Sequence, residues 1–288
     1  MSVEPPTVLE YPVGVGSTIT RVLEVPGTTT PVVLLHGAGA RADRWRTSLG
    51  ALGALGHRAL ALDLPGHGLA TKGLGPEYTV SAFAEFVEGV LGQLDIEEAL
   101  LVGTSLGAHV LGTVALNRPS LAKKLVMVGP TGVFPLGVEG CRSVATNLRN
   151  TSREGIRHKL GGVVANGAMI SEDWVDEEYR INNSPGAIES FEQLASYIET
   201  RLDDDAITAQ LKQRASTLEL MFVWGADDSV VAPRTLDEVI DMVGVASVHY
   251  VSNAGHAPYL EQTDDFWRVV EPFLSARLVQ QTTSRLTT

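Results

Sequence analysis

The chain has 288 residues, of which 44% are hydrophobic and 19% are charged, and its formal net charge is −12. This length and composition are typical of one large globular domain, or of a domain that carries an inserted subdomain. The acidic surface disfavours contact with the phosphates of nucleic acids or of anionic membranes, so we expect neither as a partner. The single cysteine, Cys141, excludes an intrachain disulfide.

The N-terminal residues lack the basic and apolar regions of a signal peptide. No apolar run approaches the roughly 18 residues that a membrane-spanning helix needs. We therefore expect a cytoplasmic protein. Residues 276–288 are polar and rich in Thr and Gln, which predicts a frayed end.

Short apolar runs alternate with helical patterns along most of the chain. Each run is too short for a helix, so it predicts a buried strand of a parallel sheet. The runs are residues 31–35, 58–62, 99–102, 125–128, 220–224 and 248–251. Between the second and third runs, apolar residues recur at offsets of three and four from Phe83 to Leu94. This spacing is typical of a helix that packs one face on a sheet.

The alternation stops near Thr131 and resumes at Leu218. The intervening sequence shows helical patterns with dense charge and no convincing buried strand. We interpret residues 131–215 as a helical cap, inserted into a core formed by residues 1–130 and 216–288. The predicted fold is therefore α/β, with a mostly parallel central sheet flanked by helices and a cap over one end of the sheet.

The segment Gly103-Thr104-Ser105-Leu106-Gly107 lies between a predicted strand and a helical pattern. This G-x-S-x-G arrangement is typical of a nucleophile elbow, in which the serine occupies a strained turn that small neighbours accommodate. At the start of a helix, backbone N–H groups also favour a developing anion. We predict that Ser105 is a nucleophile; the alternative is a turn that only tightens the strand–helix junction.

A glycine-rich segment, His36-Gly37-Ala38-Gly39, follows the first apolar run. A turn at this point can aim a backbone N–H at the place where Ser105 reacts. The candidate oxyanion hole therefore consists of the N–H groups of Ala38 and Leu106. For His36 we favour a structural role, in which its ring bonds to nearby backbone.

The general base must be one of seven histidines. Only His256 lies in a loop just after a predicted strand, where catalytic groups gather in open α/β sheets. The acid that orients it should also follow a strand. No carboxylate follows residues 125–128, whereas Asp227 and Asp228 follow residues 220–224. Spacing alone does not distinguish these two aspartates.

Taken in order, these motifs resemble the α/β-hydrolase superfamily over residues 30–275. Residues 63–68 resemble its D-x-P-G-x-G turn, and residues 255–261 resemble its G-H-x-P-x-x-E segment around the histidine. The acid segment, aligned on Gly225, places the catalytic aspartate at Asp228. Because Ser105 stands where epoxide hydrolases and haloalkane dehalogenases have an aspartate, the resemblance disfavours both groups.

The cap resembles that of the carbon–carbon bond hydrolases that cleave ring-fission products of aromatic degradation. The resemblance lies in residues 170–174, Tyr179 and Pro185-Gly186. That group has an asparagine where this chain has Thr104, and a tryptophan where it has Ala257. Its cap arginine, which pairs with the substrate carboxylate, falls on Glu178, although Arg180 lies two residues further on. We expect a negative charge at Glu178 to repel an anionic substrate.

We therefore expect a serine hydrolase, similar to carboxylesterases, that cleaves a carboxylic ester, thioester or lactone of a small molecule through an acyl-serine. The alternatives are a carbon–carbon bond hydrolase and a ligand receptor with little turnover. We expect no metal or organic cofactor, and a homodimer is the candidate assembly. The expected substrate-contacting residues are Gly37, Gly39, Thr104, Phe134, Trp174, Tyr179 and Ala257.

Overall fold

A computed structural model describes residues 6–276 of the chain. The predicted frayed stretch, residues 276–288, lies outside the described residues apart from its first position. The strands are β1 (Leu9–Val15), β2 (Thr18–Val25), β3 (Val32–Leu35), β4 (Ala59–Leu62), β5 (Ala99–Thr104), β6 (Ala122–Val128), β7 (Glu219–Gly225) and β8 (Ser247–Val251). They form one sheet in the order β1-β2-β4-β3-β5-β6-β7-β8. β2 is antiparallel to both of its neighbours, and all other neighbouring pairs are parallel.

The helices alternate with these strands, as the sequence predicted. Outside the insertion they are α1 (Arg46–Ala54), α2 (Val80–Gln93), α3 (Leu106–Asn117), α9 (Leu236–Val243), α10 (Pro258–Glu261) and α11 (Thr263–Ser275). Between β6 and β7 lie α4 (Gly137–Arg149), α5 (Arg153–Val163), α6 (Glu172–Asn182), α7 (Ala187–Arg201) and α8 (Thr208–Arg214). Short 3-10 helices span Ala42–Trp45 and Gly167–Met169.

The centre of the sheet is buried on both faces, because helices cover both. In β3, Val33 and Leu35 pack in one apolar cluster with α2 and α3, whereas Val32 and Leu34 pack in a second cluster with α1 and α11. All four side chains are fully buried. Burying one such side chain stabilises the fold by about 1.5–3 kcal/mol. This two-sided burial explains why the central strands appear in the sequence as continuous apolar runs.

β1 and β2 were not predicted from the sequence. β1 contains Pro12 and Gly14, which are rare inside strands, and most of its side chains are partly or fully exposed. The two strands form a hairpin at one edge of the sheet, and Gly16 in its turn has a φ of 59°. Long-range pairing with β4, rather than local sequence preference, holds this hairpin in the sheet.

Helices α4 to α8 form the insertion between β6 and β7. They lie within the predicted cap, residues 131–215, and their role as a cap stays a prediction. Phe191, Leu194 and Ile198 of α7 join the same apolar cluster as α2 and α3, which ties the insertion to the core. A separate small cluster of Ile156, Leu160 and Val175 joins α5 to α6.

Asp63 anchors the loops that follow β3 and β4. Its carboxylate is fully buried, accepts hydrogen bonds from the N–H groups of Ala42 (2.8 Å) and Leu69 (2.9 Å), and pairs with Arg21 at 3.0 Å. A Cβ at Gly68, where φ is 49°, would lie 2.3 Å from this carboxylate. The D-x-P-G-x-G turn is therefore a structural anchor that positions the loops near Ser105.

Among residues 6–276, no helix combines the length and the apolar character that crossing a membrane requires.

Candidate active site

Ser105 lies in a strained turn between β5 and α3. Its φ of 54° and ψ of −122° place a non-glycine residue in a region that costs about 1–3 kcal/mol. A Cβ at Gly103 would lie 2.5 Å from the carbonyl oxygen of Gly107, and a Cβ at Gly107 would lie 2.4 Å from that of His36. Both glycines are therefore required by close backbone approach, as the elbow pattern predicted.

His256 and Asp228 form a buried pair next to this turn. The Nδ1 atom of His256 lies 2.8 Å from Oδ2 of Asp228. The other oxygen, Oδ1, accepts hydrogen bonds from the N–H groups of Val230 and Val231, each at 2.9 Å. These bonds hold the carboxylate in place against the ring, so His256 carries its proton on Nδ1 and leaves Nε2 free to accept one.

The two candidate aspartates differ clearly in position. Asp227 is exposed, and its backbone N–H donates to the carbonyl of Ala254. Asp228 is only 6% exposed and contacts His256 directly. The structure thus places Asp228 against the histidine, at the position that the resemblance indicated.

Gly129, directly after β6, contacts the same pair. Its φ is 46°, and a Cβ there would lie 2.9 Å from both Oδ2 of Asp228 and Nδ1 of His256. From the sequence, this segment was notable only because it lacks a carboxylate, and the contact of Gly129 with the pair was not predicted. The available signal was a glycine at the carboxyl end of a central strand, where side chains from neighbouring loops converge.

The loop after β3 packs directly on Ser105. A Cβ at Gly37 would lie 2.9 Å from Cβ of Ser105. In the described part of the chain, the N–H groups of Ala38 and Leu106 have no hydrogen-bond partner, so both are available to an oxyanion.

His36 serves this loop as a structural residue. It is fully buried, its Nδ1 donates to the carbonyl of Gly37 (2.8 Å), and its Nε2 accepts from the N–H of Leu64 (3.0 Å). Burial lowers the pKa of His36, which agrees with a neutral ring. Its two bonds link the loop after β3 to the loop after β4.

A cavity of about 670 Å³ opens beside these groups, at the carboxyl ends of β3, β5, β7 and β8. Its walls include seven of the predicted site residues: Gly37, Ala38, Gly39, Thr104, Ser105, His256 and Ala257. Its volume lies within the range of about 300–1,000 Å³ that is common for small-molecule sites.

Three aromatic residues predicted to contact substrate lie outside this cavity. Phe134 packs on Phe222 and Trp224, with ring centroids 6.4 and 6.2 Å away. Trp174 and Tyr179 pack beside the small cluster of α5 and α6, and each lies under an arginine guanidinium. Their rings are used in packing the insertion and its junction with the core, and their contact with substrate stays a prediction.

Other residues that line the cavity were not predicted from the sequence. Ser143 and Asn147 line it from α4, as do Arg44, Lys159 and Tyr259 from other elements. The ring of Tyr259 stacks on Trp45, with the centroids 3.7 Å apart, and burial raises the pKa of its hydroxyl to about 12. These residues come together only through the fold.

Glu178 does not present a repelling charge to the cavity. It is 1% exposed and pairs with Arg44 at 2.8 Å, with Arg41 at 3.1 Å and with Lys159 at 3.9 Å. Burial raises the pKa of Glu178, but these cations outweigh that effect and lower it to about 2. The expectation that this position repels an anionic substrate is wrong, because cations stand between the carboxylate and the cavity.

Known proteins resemble the chain over nearly its whole length. Residues 32–269 match the model of the alpha/beta hydrolase family. A 2-hydroxymuconate semialdehyde hydrolase of a Pseudomonas species is 27% identical over 253 residues, covering 86% of this chain and 88% of that protein. A 2-hydroxy-6-oxo-2,4-heptadienoate hydrolase of Pseudomonas putida is 26% identical over 256 residues, covering 87% of this chain and 91% of that protein.

The likeness extends to three dimensions. The solved structure of 2-hydroxy-6-oxo-6-phenylhexa-2,4-dienoate hydrolase from a Rhodococcus species superposes with a TM-score of 0.83 at 21% identity. The match covers 94% of this chain and 100% of that one. The predicted α/β-hydrolase fold is thereby confirmed.

The names of the curated relatives contradict the expected substrate. Both are hydrolases of a 2-hydroxymuconate semialdehyde or a 2-hydroxy-6-oxo-dienoate, so the expectation of a carboxylic ester, thioester or lactone is wrong. They agree better with the alternative, a carbon–carbon bond hydrolase. Because the family model matches most of the chain, the protein belongs to the alpha/beta hydrolase family and is a hydrolase.

Proposed function

We propose that the protein hydrolyses a carbon–carbon bond of a 2-hydroxy-6-oxo-2,4-dienoate, between carbon 5 and the ketone carbon 6. The observation that carries this proposal is the likeness, over 87% of the chain, to a relative named for a 2-hydroxy-6-oxo-2,4-dienoate. The arrangement of Ser105, His256 and Asp228 supports it, because it supplies the nucleophile, base and orienting acid that such a cleavage needs.

The reaction needs a carbon leaving group that can accept an electron pair. Moving the proton of the 2-hydroxyl group to carbon 5 gives a keto tautomer. In this tautomer carbon 5 is a saturated carbon attached to a double bond, and that double bond is conjugated with the new 2-oxo group. When the bond between carbons 5 and 6 breaks, its electron pair therefore delocalises onto the 2-oxo oxygen. The departing fragment is a dienolate, which regains a proton to become a 2-hydroxydienoate.

In the proposed mechanism Ser105 adds to carbon 6 while Nε2 of His256 takes its proton. The oxyanion that forms on the 6-oxo group is stabilised by the N–H groups of Ala38 and Leu106. Collapse of this intermediate expels the dienolate, which receives the proton from His256. Water, deprotonated by His256, then releases the acyl group from Ser105 as a carboxylic acid.

Asp228 is proposed to orient His256 throughout this cycle. Its carboxylate, fixed by two N–H groups, holds the Nδ1 proton and stabilises the imidazolium. Losing one oxyanion donor costs about 100- to 1,000-fold in kcat, and losing the correct histidine tautomer costs about 10,000-fold.

The test uses 2-hydroxy-6-oxo-6-phenylhexa-2,4-dienoate and its 6-methyl counterpart. We expect the wild type to release benzoate and acetate, respectively, together with the same 2-hydroxydienoate, measured by chromatography and by loss of the conjugated chromophore. Ser105→Ala should abolish turnover while the circular dichroism spectrum stays unchanged. Absence of both acids with the wild type would overturn the proposal, and tight binding without turnover would favour a receptor.

The chain offers a matched pair of variants for the acid. Asp228→Asn should lower kcat by about 10,000-fold, because the amide supports the wrong tautomer of His256. Asp227→Asn changes a neighbouring, exposed residue by the same chemistry and should leave kcat within a few-fold of the wild type. Equal losses in the two variants would contradict the role given to Asp228.

A further inference from the structure

We propose that Arg44 and Lys159 form a subsite for the carboxylate of the substrate, and that the buried Glu178 holds both cations in position. The proposal rests on the proposed function, because a dienoate carries one carboxylate. In the carbon–carbon bond hydrolases that the cap resembles, a cap arginine pairs with the substrate carboxylate, and Glu178 occupies its position in this chain. Arg44 and Lys159, at other positions, would here recognise the carboxylate instead.

The three side chains are arranged in layers. Arg44 and Lys159 line the cavity, whereas Glu178 lies behind them and does not. Nη2 of Arg44 donates to Oε1 of Glu178 at 2.8 Å, and Nζ of Lys159 lies 3.9 Å from Oε2. The guanidinium of Arg44 also lies 4.5 Å above the ring centre of Trp174, which fixes its plane. The cations therefore face the cavity from a rigid support.

The local charges do not balance. Glu178 also contacts Arg41, but Arg41 has two further acidic partners, Asp43 and Glu177. Within residues 6–276, neither Arg44 nor Lys159 pairs with any carboxylate except Glu178. Two cations at the cavity wall thus share one anion, which leaves about one positive charge for a ligand. A monoanionic carboxylate matches this excess.

Arg44 also has an unused donor. Its Nε is buried and, among the described residues, lacks a hydrogen-bond partner. An unpaired donor in a buried charged group is costly unless a ligand or water satisfies it. Burial also lowers the pKa of Lys159, so an added carboxylate would favour its charged form. Both observations favour an anion at this wall.

The subsite is linked to the loop that carries the candidate oxyanion hole. Nζ of Lys159 donates to the carbonyl of Gly39 at 3.0 Å. Gly39 is two residues from Gly37, at which a Cβ would lie 2.9 Å from that of Ser105. One loop thus touches the ammonium group and the nucleophile. A short conjugated chain can place its carboxylate at the ammonium group of Lys159 and its ketone at Ser105.

The experiment compares binding of sorbate (hexa-2,4-dienoate) and its neutral amide, sorbamide, by calorimetry on the full chain. We expect the wild type to bind sorbate at least about 10-fold more tightly, as expected for hydrogen bonds to a charged group. Lys159→Met and Arg44→Met should reduce this ratio towards one. Arg157→Met, on the same helix as Lys159 but exposed and paired with Glu172, is the matched control and should preserve it.

Kinetics on the phenyl dienoate give a second measurement. Lys159→Met should raise KM by about 10- to 100-fold, with kcat within a few-fold of the wild type, because carboxylate binding precedes the bond cleavage. If Arg44→Met fails to fold, Arg44→Met combined with Glu178→Gln removes the charge and its partner together. An unchanged sorbate preference in these variants, or an unchanged KM with normal cleavage, overturns the subsite.

These measurements separate the two proposals. A wild type that cleaves no dienoate, yet prefers sorbate through Lys159, would remove the proposed function and keep the subsite. Cleavage with a KM that is indifferent to Lys159 and Arg44 would remove the subsite and keep the function.

Glu178 is a positioning residue in this proposal, and its test is a pH profile. In Glu178→Gln, Lys159 loses the one carboxylate that favours its charged form, so the sorbate preference should disappear at a lower pH than in the wild type. Glu178→Asp keeps the charge and should restore the wild-type profile. A Glu178→Gln protein that is merely less stable, with the same pH profile, would contradict the positioning role.

Discussion

At the residue scale, the site depends on glycines whose backbone lies close to the candidate catalytic residues. An added methyl group at Gly37 would meet Ser105, and one at Gly129 would meet His256 and Asp228, each at 2.9 Å, which is closer than van der Waals distance. The loops after β3, β5 and β6 therefore have little freedom relative to the pair of His256 and Asp228. Positions of this kind control kcat, because they set the geometry of the reacting atoms.

Gly129→Ala tests this control. The new Cβ would lie 2.9 Å from Nδ1 of His256 and from Oδ2 of Asp228, so we expect kcat to fall by about 10- to 100-fold with little change in KM. Steady-state kinetics on the dienoate measure both constants. Gly16→Ala is the matched control, since its φ of 59° is as unfavourable for alanine but its surroundings are open. A similar loss of kcat in both variants would show that backbone strain alone is responsible.

At the element scale, the histidine loop and the insertion are joined by one side chain of α10. Glu261 accepts a hydrogen bond from the N–H of Gly255 at Oε1 and from the N–H of Ala165 at Oε2, each at 2.7 Å. Gly255 precedes His256, and Ala165 follows α5, which carries Lys159. One carboxylate therefore sets the distance between the proposed general base and the wall of the cavity formed by the insertion.

Glu261→Gln should break the bridge, because the amide oxygen can accept from one of the two backbone N–H groups but the amide nitrogen cannot accept from the other. We expect a loss of about 1–3 kcal/mol in the free energy of unfolding and faster hydrogen exchange at the amide of Ala165 or of Gly255. Denaturant titration and exchange measured by mass spectrometry check the two effects. Glu172→Gln, on the exposed surface of the insertion, is the control; exchange as slow as in the wild type at both amides of Glu261→Gln would contradict the bridging role.

At the scale of the whole molecule, buried neutral histidines link stability to pH. Burial lowers the pKa of His36 and His67, and it lowers that of His109 from 6.5 to about 4. Below pH 6.5 the unfolded chain binds protons that the folded chain does not bind. Stability is therefore complete above pH 6.5 and is lost as the pH falls towards 4.

We expect His109 alone to cost about 2 kcal/mol in the free energy of unfolding between pH 7 and pH 5. Urea titrations at the two pH values, with wild type and His109→Gln, measure this contribution. The variant should show a smaller difference between the two pH values than the wild type. An equal difference in the two proteins would show that His109 does not titrate in this way.

Features that depend on neighbouring residues could be predicted from the sequence, whereas features that depend on long-range contacts could not. Central strands, buried on both faces, appear as apolar runs, and the elbow around Ser105 depends on neighbouring glycines, so local patterns reveal both. β1 carries Pro12 and Gly14 and is held by pairing, which no local pattern shows. The proposed substrate class rests on the relatives, because one set of nucleophile, base and acid can serve enzymes with different substrates.

The charged wall of the cavity was also beyond prediction. Arg44 and Glu178 are 134 positions apart, and only the fold brings them within 2.8 Å. From the sequence, Glu178 appeared as an isolated negative charge in place of an arginine. In the structure this carboxylate is instead surrounded by Arg41, Arg44 and Lys159, so the net charge of the group is positive.

The buried position of Glu178 also limits how the protein can evolve. Replacing it with an apolar residue leaves the buried Arg44 and the partly buried Lys159 without their counter-charge, and breaking a buried ion pair such as that of Arg44 costs about 3–5 kcal/mol. That is a large share of the total stability of a typical domain, which is about 5–15 kcal/mol. Under the proposed subsite, a descendant that changes to uncharged substrates therefore has to replace all three residues nearly together, so this charged wall is expected to persist while the rest of the cavity diverges.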